Sequence, residues 1–452
     1  MAKAKTLYVC DECGAQAASW SGKCFGCGAW NSLVQQIIDA SPSSGGAKGS
    51  ARVASLQPAD LKKAIDQDAP RLAVPMSDVS EVLGGGIVKG SVTLLAGQPG
   101  IGKSTLLLQL ADAVAKQRRV LYVSGEESAH QVALRAKRLG LTDSRLSLVS
   151  SSSTDAIVGS IAEDTYDLVI VDSIQTVACE AVASAAGSVA QITNSTKLLA
   201  GAAKQQNTAL LLVGHVTKEG SIAGPKLLEH IVDVVLQLEG DRYGGFKVLR
   251  AVKNRYGSTE HSAIFEMKET GLVLVENPSA SLLAERQVSD GSVVLATMEG
   301  TRPMLVEVQA LVNRTNYGYP KRAASGLDLN RLNVLIAMLE RRTKLSLGDM
   351  DVYVNIVGGL KLKEQAADLA VCMAIASASK GMQLKQDAAV FGEVGLSGEV
   401  RHVPYIEKRL QEARKLGLET AIGPSAKLSA ADKRYYTPVR DVRSALNQFL
   451  SK

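Results

Sequence analysis

No stretch of this chain approaches the roughly 18 consecutive apolar residues that span a bilayer, so a membrane-crossing helix is not expected. Behind residues 1–5 there is no apolar core of the kind a secretory leader carries, and cytoplasmic residence without a membrane partner is the expectation. No internal repeat is visible. Cysteine is scarce, six in 452 residues, and four of the six fall within the first 27. Without secretion signals these do not read as a disulfide framework. The other two, Cys179 and Cys372, stand among small or apolar neighbours and read as buried small residues. Hydrophobic residues at 46% and charged residues at 21% are ordinary for a globular chain, and the length allows two or three domains. A formal net charge of +6 permits a polyanionic partner such as nucleic acid without establishing one.

The four early cysteines are spaced Cys10-x2-Cys13-x10-Cys24-x2-Cys27, with Gly14 and Gly28 after the pairs. Two intervening residues let one tight turn aim both thiolates at one ion. Glycine frees the backbone so that its amides can face sulfur. Four thiolates close a tetrahedral shell, so the expected metal is structural zinc on Cys10, Cys13, Cys24 and Cys27. A module this small (residues 1–35) has too little core to fold unaided, and metal binding would supply about 10–16 kcal/mol. Residues 36–70 contain Ser41-Pro42-Ser43-Ser44-Gly45-Gly46, which cannot bury a core and reads as a flexible linker.

From residue 71 to about 276, short apolar runs alternate with longer helical patterns. Strands are expected at Val92 to Ala96, Val120 to Val123, Leu168 to Val171 and Leu210 to Val213. Helices are expected from Ser104 to Gln117 and from Ser128 to Leu139, the latter stopped by Gly140. That alternation implies an α/β fold around a parallel sheet covered on both faces. Beyond this, residues 277–452 read as a separate α+β domain. Its strands are expected near Val293 to Thr297, Met304 to Val312 and Val352 to Val357, its helices near Asp328 to Arg342 and Ala366 to Ser379.

Gly97-Gln98-Pro99-Gly100-Ile101-Gly102-Lys103-Ser104 matches G-x-x-x-x-G-K-[ST], follows a strand and opens a helix that continues through Thr105. The glycines let backbone amides turn inward around a β-phosphate. Lys103 is placed to reach the β- and γ-phosphates, Ser104 to hold magnesium, and the helix N-terminus adds its dipole. The apolar strand Leu168 to Val171 ends in Asp172, the Walker B pattern, and Asp172 is expected to bind magnesium through water. Glu126 and Glu127 follow the strand Val120 to Val123, the next in sequence after the P-loop helix. Glu126 is the expected water-orienting base with Glu127 next in line, although acids at a helix N-terminus also serve the dipole. His215, at the end of Leu210 to Val213 and within Gly214-His215-Val216-Thr217-Lys218, is a candidate γ-phosphate sensor.

Together these residues resemble the RecA-type ATPases. The full order, a four-cysteine module, a RecA-like core and a Lon-protease-like C-terminal domain, is similar to the bacterial RadA/Sms family of DNA repair proteins. That family's Lys-Asn-Arg-Phe-Gly signature is matched by Lys253-Asn254-Arg255-Tyr256-Gly257, with tyrosine for phenylalanine. The resemblance implies a DNA-dependent ATPase of homologous recombination using ATP, Mg2+ and Zn2+. It implies binding to single-stranded and branched DNA, branch migration in the manner of a ring-shaped helicase, and action with the RecA recombinase. Lys253 and Arg255 are the residues it marks for ATPase and DNA engagement. RecA-like cores bind ATP at the seam between subunits, so a homo-hexamer is expected with Arg255 acting on the adjacent site. Both cationic heads are expected to be presented at a surface by the turn at Gly257.

Set against Lon, the nucleophile position falls on Ala366 within Gln365-Ala366-Ala367-Asp368, and the lysine position on Glu407, with Lys408 one residue away. Alanine has no nucleophile, so the domain is expected to be peptidase-inactive. Arg314, Lys321, Arg322, Arg341, Arg342 and Lys344 are candidates for a DNA path there. Two rival functions remain: an ATP-dependent protease, opposed by Ala366, and a RecA-like ATP switch that binds a protein partner without moving on DNA.

Overall fold

The computed structural model describes residues 5–10, 15–26, 28–30, 32–38, 71–141, 145–215, 227–240, 245–316 and 318–450. They form two compact units, the first from residues 1–237 with 251–258, the second from 238–250 with 259–452. The boundary expected after residue 276 differs from this division. Ser262–Lys268 pairs antiparallel with the strand residues Phe246 to Arg250, and Ile264 joins the second unit's core, so the chain from Thr259 onward belongs with that core.

In the first unit five strands run parallel in the order Val92–Gly97, Ala209–His215, Leu168–Asp172, Val120–Ser124 and Leu146–Ser150. Val234–Gly240 lies on the other side of Val92–Gly97. The expected strands and helices are present with ends shifted by a residue or two, while Leu146–Ser150, Thr154–Glu163 and Val189–Gln205 escaped the sequence reading. Leu146–Ser150 is an edge strand with mostly exposed residues, so it carries no continuous apolar run. The sheet interior is aliphatic: Leu94, Val123, Val169, Val171, Leu210 and Leu212 are sealed. Helix Lys103–Ala115 buries Leu106, Leu107, Leu108 and Leu110, so apolar residues surround much of it rather than one stripe. Helix Ala129–Arg138 begins on a capping box between Ser128 and Gln131. Separately, Lys5–Cys10 pairs antiparallel with Gln16–Ala17 and Leu33–Ile38 in a three-stranded sheet.

The second unit is built on a seven-stranded mixed sheet in the order Arg322–Ser325, Met350–Ile356, Arg302–Arg314, Ser292–Glu299, Ala388–Val390, Thr420–Gly423 and Tyr436–Pro438. Helix Asp368–Lys380 runs through its core, buried continuously from Asp368 to Ser377. Small side chains at Ala370, Ala374 and Ala376 allow that approach. Cys372 and, in the first unit, Cys179 are buried as expected. Among the described residues, no helix is long and apolar enough to cross a membrane.

Candidate nucleotide-binding site

Register assembles this site. Strand ends carry Gly97 beside His215 and Ser124 beside Asp172, so the loops that follow all leave one edge of the sheet. In open parallel sheets that edge is where ligands bind. Gly100 and Gly102 take φ of 78° and 112°, left-handed values that a side chain resists, and Gly102 directly precedes helix Lys103–Ala115. Lys103 is buried and its Nζ donates to the carbonyls of Gly97 at 2.8 Å and Gln98 at 3.0 Å. Burial pushes this ammonium down to about 8, against the opposing pull of Asp172 and then Glu126. Both carboxylates therefore act on Lys103. Ser104 and Thr105 follow on the first helical turn, half-buried.

The two candidate bases differ in their partners. Glu126 Oε1 accepts from Ser173 Oγ at 2.8 Å, next to Asp172. Glu127 is engaged by the guanidinium of Arg135, and its amide donates to Ser124 Oγ at 2.9 Å. Glu127 is thus turned to its own helix, while Glu126 faces the Walker B turn. Asp172 Oδ2 accepts from the Tyr122 hydroxyl at 2.6 Å, and burial, reinforced by the adjacent carboxylate, drives that phenol far above its usual range. Tyr122 and Ser173 were not found by sequence reasoning. Tyr122 reads as one more apolar residue of a buried strand, and Ser173 as the residue that merely follows Asp172. The side chain of the candidate sensor His215, and Val216, Thr217 and Lys218, lie outside the described residues.

Lys253 and Arg255 are not brought to this edge. Asp233 is buried; its Oδ2 accepts from the Val92 amide at 3.1 Å and its Oδ1 from Arg255 at 3.0 Å. Val92 begins the strand that Gly97 ends, so Arg255 is anchored about 16 Å from its own P-loop, five residues of extended chain away. The expectation that both heads are presented at a surface meets a difference at Lys253, which is half-buried with its head engaged by backbone. Its Nζ donates to the carbonyls of Glu229 at 2.5 Å and Val232 at 2.7 Å, capping helix Leu227–Ile231, because orphan helix carbonyls need donors. The Arg255 side chain is 54% exposed.

In the small sheet, Cys10 and Cys24 are buried together with Leu33. The Cys10 amide donates to Ala15 O and the Cys24 amide to Ala29 O, each at 2.9 Å, so the two cysteine turns repeat one hydrogen-bond pattern. The Gly26 amide points at Cys24 Sγ at 3.3 Å, and Gly28 takes φ of 77°. Amides aimed at sulfur and a left-handed glycine suit thiolate ligation of zinc. Cys13 and Cys27 lie outside the described residues.

In the second unit, Ala366 is buried in a short 3-10 turn and its carbonyl accepts from the Gly392 amide. Lys408 Nζ donates to Thr301 O at 3.2 Å, and neighbouring Arg409 is fully buried on Glu364 at 2.7 Å. Arg314 and Arg322 stand opposite Met350 and Val352 on adjoining strands, and Arg341, Arg342 and Lys344 close the helix that leads there.

Comparison with known proteins agrees with this layout. Residues 8–35 match a rubredoxin metal binding domain, 58–221 an AAA domain, and 333–427 subunit ChlI of Mg-chelatase. Over 436 residues the chain is 47% identical to the DNA repair protein RadA of Bacillus subtilis, spanning 96% of this chain and 95% of that one. This chain belongs to the RadA family of DNA repair proteins. RadA of Pseudomonas aeruginosa is 48% identical over 94% of each chain, and RadA of Aquifex aeolicus 44% over 99% of each. A crystal structure of the RadB recombinase aligns with 45% of this chain and all of its own at 25% identity and a TM-score of 0.37. By these family matches, this RadA-family chain combines a zinc-ribbon module, an AAA-type P-loop core and a ChlI-like C-terminal domain.

Proposed function

We propose that this chain is a DNA-dependent ATPase of homologous recombination, a cytoplasmic motor that binds single-stranded and branched DNA. It assembles as a homo-hexameric ring and drives branch migration with RecA. The observation that carries the ATPase is the convergence of Lys103, Asp172 and the Ser173-bound Glu126 at the ends of neighbouring strands. The residues then divide the work. Lys103 leaves the carbonyls of Gly97 and Gln98 for the β- and γ-phosphates. The amides of residues 97–105 and the helix N-terminus cradle the phosphate oxygens. Glu126, held by Ser173, orients and deprotonates the attacking water, and Tyr122 holds Asp172 in place. A magnesium ion held on the Ser104 and Asp172 side would neutralise phosphate charge.

Nothing cationic in the P-loop covers the far side of the γ-phosphate. Arg255, anchored at the opposite end of strand Val92–Gly97, is exposed for the site of a neighbouring subunit, where such a group is worth about 10³ to 10⁵ in rate. Zinc on Cys10, Cys13, Cys24 and Cys27 would hold the N-terminal module. The C-terminal domain serves assembly and DNA contact without peptidase activity, since Ala366 offers no nucleophile and Lys408 is engaged by a backbone carbonyl. The test is ATP turnover with and without single-stranded DNA. Stimulation by DNA that vanishes in Lys103→Ala supports the motor. Turnover indifferent to DNA leaves the reading of an ATP switch for a protein partner.

A further inference from the structure

The turn after Leu168–Asp172 is paired almost group by group. Gly125 N donates to Asp172 O at 2.8 Å, Ile174 N to Val213 O at 3.0 Å, and Thr176 Oγ1 to Ser173 O at 2.8 Å, while Ser173 Oγ holds Glu126. Two glycines let it fit. A methyl group built on Gly125 would stand 2.1 Å from Thr176 Oγ1, and one on Gly214 would stand 3.1 Å from Leu94 Cδ1 and 3.9 Å from Gln175 Nε2. Within this turn Gln175 is the exception. Both atoms of its carboxamide are shut off from solvent, and neither has a hydrogen-bond partner among the described residues. A sealed polar pair without partners is uncommon and costs stability, because both atoms have given up water for nothing.

The location points to what the amide is kept for. Gln175 lies three residues after Asp172 and two after the serine that holds Glu126. It sits against Gly214, whose register partner Ala96 directly precedes the P-loop. We propose that Gln175 is a positioning residue of the nucleotide site, its carboxamide finding a donor and an acceptor only when ATP is bound. The inference rests on the nucleotide site proposed above. Terminal phosphate oxygens accept hydrogen bonds, and the attacking water both donates and accepts, which is the complement a carboxamide needs. Because the amide is sealed without ligand, binding must shift this turn, and the turn carries Asp172 and the Ser173–Glu126 contact with it. An amide unpaired at rest and paired with ATP favours the bound arrangement, as any group with differential interaction does.

The experiment measures thermal melting of the full chain, with and without a non-hydrolysable ATP analogue and Mg2+, alongside steady-state ATP turnover. In Gln175→Leu the ligand-free melt is expected to equal or exceed the parent's, since a costly sealed amide is gone. The analogue-induced rise should shrink, and kcat should fall about tenfold with a smaller change in KM, the loss of one hydrogen bond made during turnover. Gln175→Met, unbranched like glutamine, repeats the test if leucine's branch does not fit. A ligand-free melt well below the parent's in both variants overturns the proposal, because the amide then has a resting partner. Unchanged turnover and an unchanged analogue-induced rise overturn it equally. Should the parent itself gain no stability from the analogue, the nucleotide site falls and this role with it.

Discussion

Lys103 shows how one side chain ties a motif to a measurable pH dependence. Its ammonium is desolvated in the ligand-free protein and pushed down to about 8. Charging it is therefore costly at neutral pH, a cost relieved as pH rises through about 8 and the amine becomes neutral. Nucleotide phosphates need the charged form, so binding above that pH must take up a proton. ATP affinity should accordingly fall from pH 8 upward, by up to about tenfold per pH unit while the bound form stays protonated. Calorimetric titration at pH 9 in buffers of different ionisation enthalpy should show proton uptake approaching one per nucleotide. Lys103→Arg should take up none, since arginine stays charged.

The paired carboxylates give a second expectation at this scale. Glu126→Gln should bind ATP close to normally and lose about 10²-fold or more in turnover, the range of a general base. Glu127→Gln should keep turnover and lose a few degrees of melting temperature, because it faces Arg135 rather than Ser173. Normal turnover in Glu126→Gln would move the base elsewhere.

Among the elements, helix Leu227–Ile231 is too short to hold itself and depends on what caps it. Lys253 supplies that cap through the carbonyls of Glu229 and Val232, and burial lowers its pKa, with Arg255 adding to the shift. The rest of the Lys-Asn-Arg-Tyr-Gly turn is stitched down as well. Asn254 donates to Val82 O, Arg71 donates to Tyr256 O, and a Cβ on Gly257 would stand 2.7 Å from Gly84 Cα. Lys253→Met should thus destabilise the chain with no ATP or DNA present, by about 1.5 kcal/mol, the lower end for charged hydrogen bonds because these are half-buried. A denaturant titration checks this. An unaltered midpoint would return Lys253 to the role of a ligand contact.

For the whole molecule, the distance between Arg255 and its own P-loop makes assembly testable by mixing. Arg255→Ala should bind ATP yet lose most DNA-stimulated hydrolysis, and Lys103→Ala should be inactive. If the chain forms the proposed ring, mixing the two should recover part of the activity, because some seams would pair an intact P-loop with an intact arginine. No recovery at any ratio would show that Arg255 does not act in trans. The zinc module has its own readout. Purified protein should carry about one zinc per chain, and Cys24→Ser should lose most of it.

Much of this protein was legible along the chain because its chemistry is local. A phosphate loop needs its glycines, lysine and serine within eight residues, and a thiolate site needs its cysteines in close pairs, so both are written as contiguous patterns. Apolar runs marked the buried strands for the same reason, whereas exposed Leu146–Ser150 left no such mark. Spacing cannot say which of two adjacent glutamates faces Asp172. That follows from strand register, which sets Ser124 beside Asp172 and leaves Glu127 to Arg135. Nor does the signature around Lys253 show that its ammonium turns inward, since the carbonyls it caps lie more than twenty residues upstream. The sealed amide of Gln175 has no trace in the sequence either. Partners are properties of the packed chain, and a group without one is visible only where everything around it has been placed.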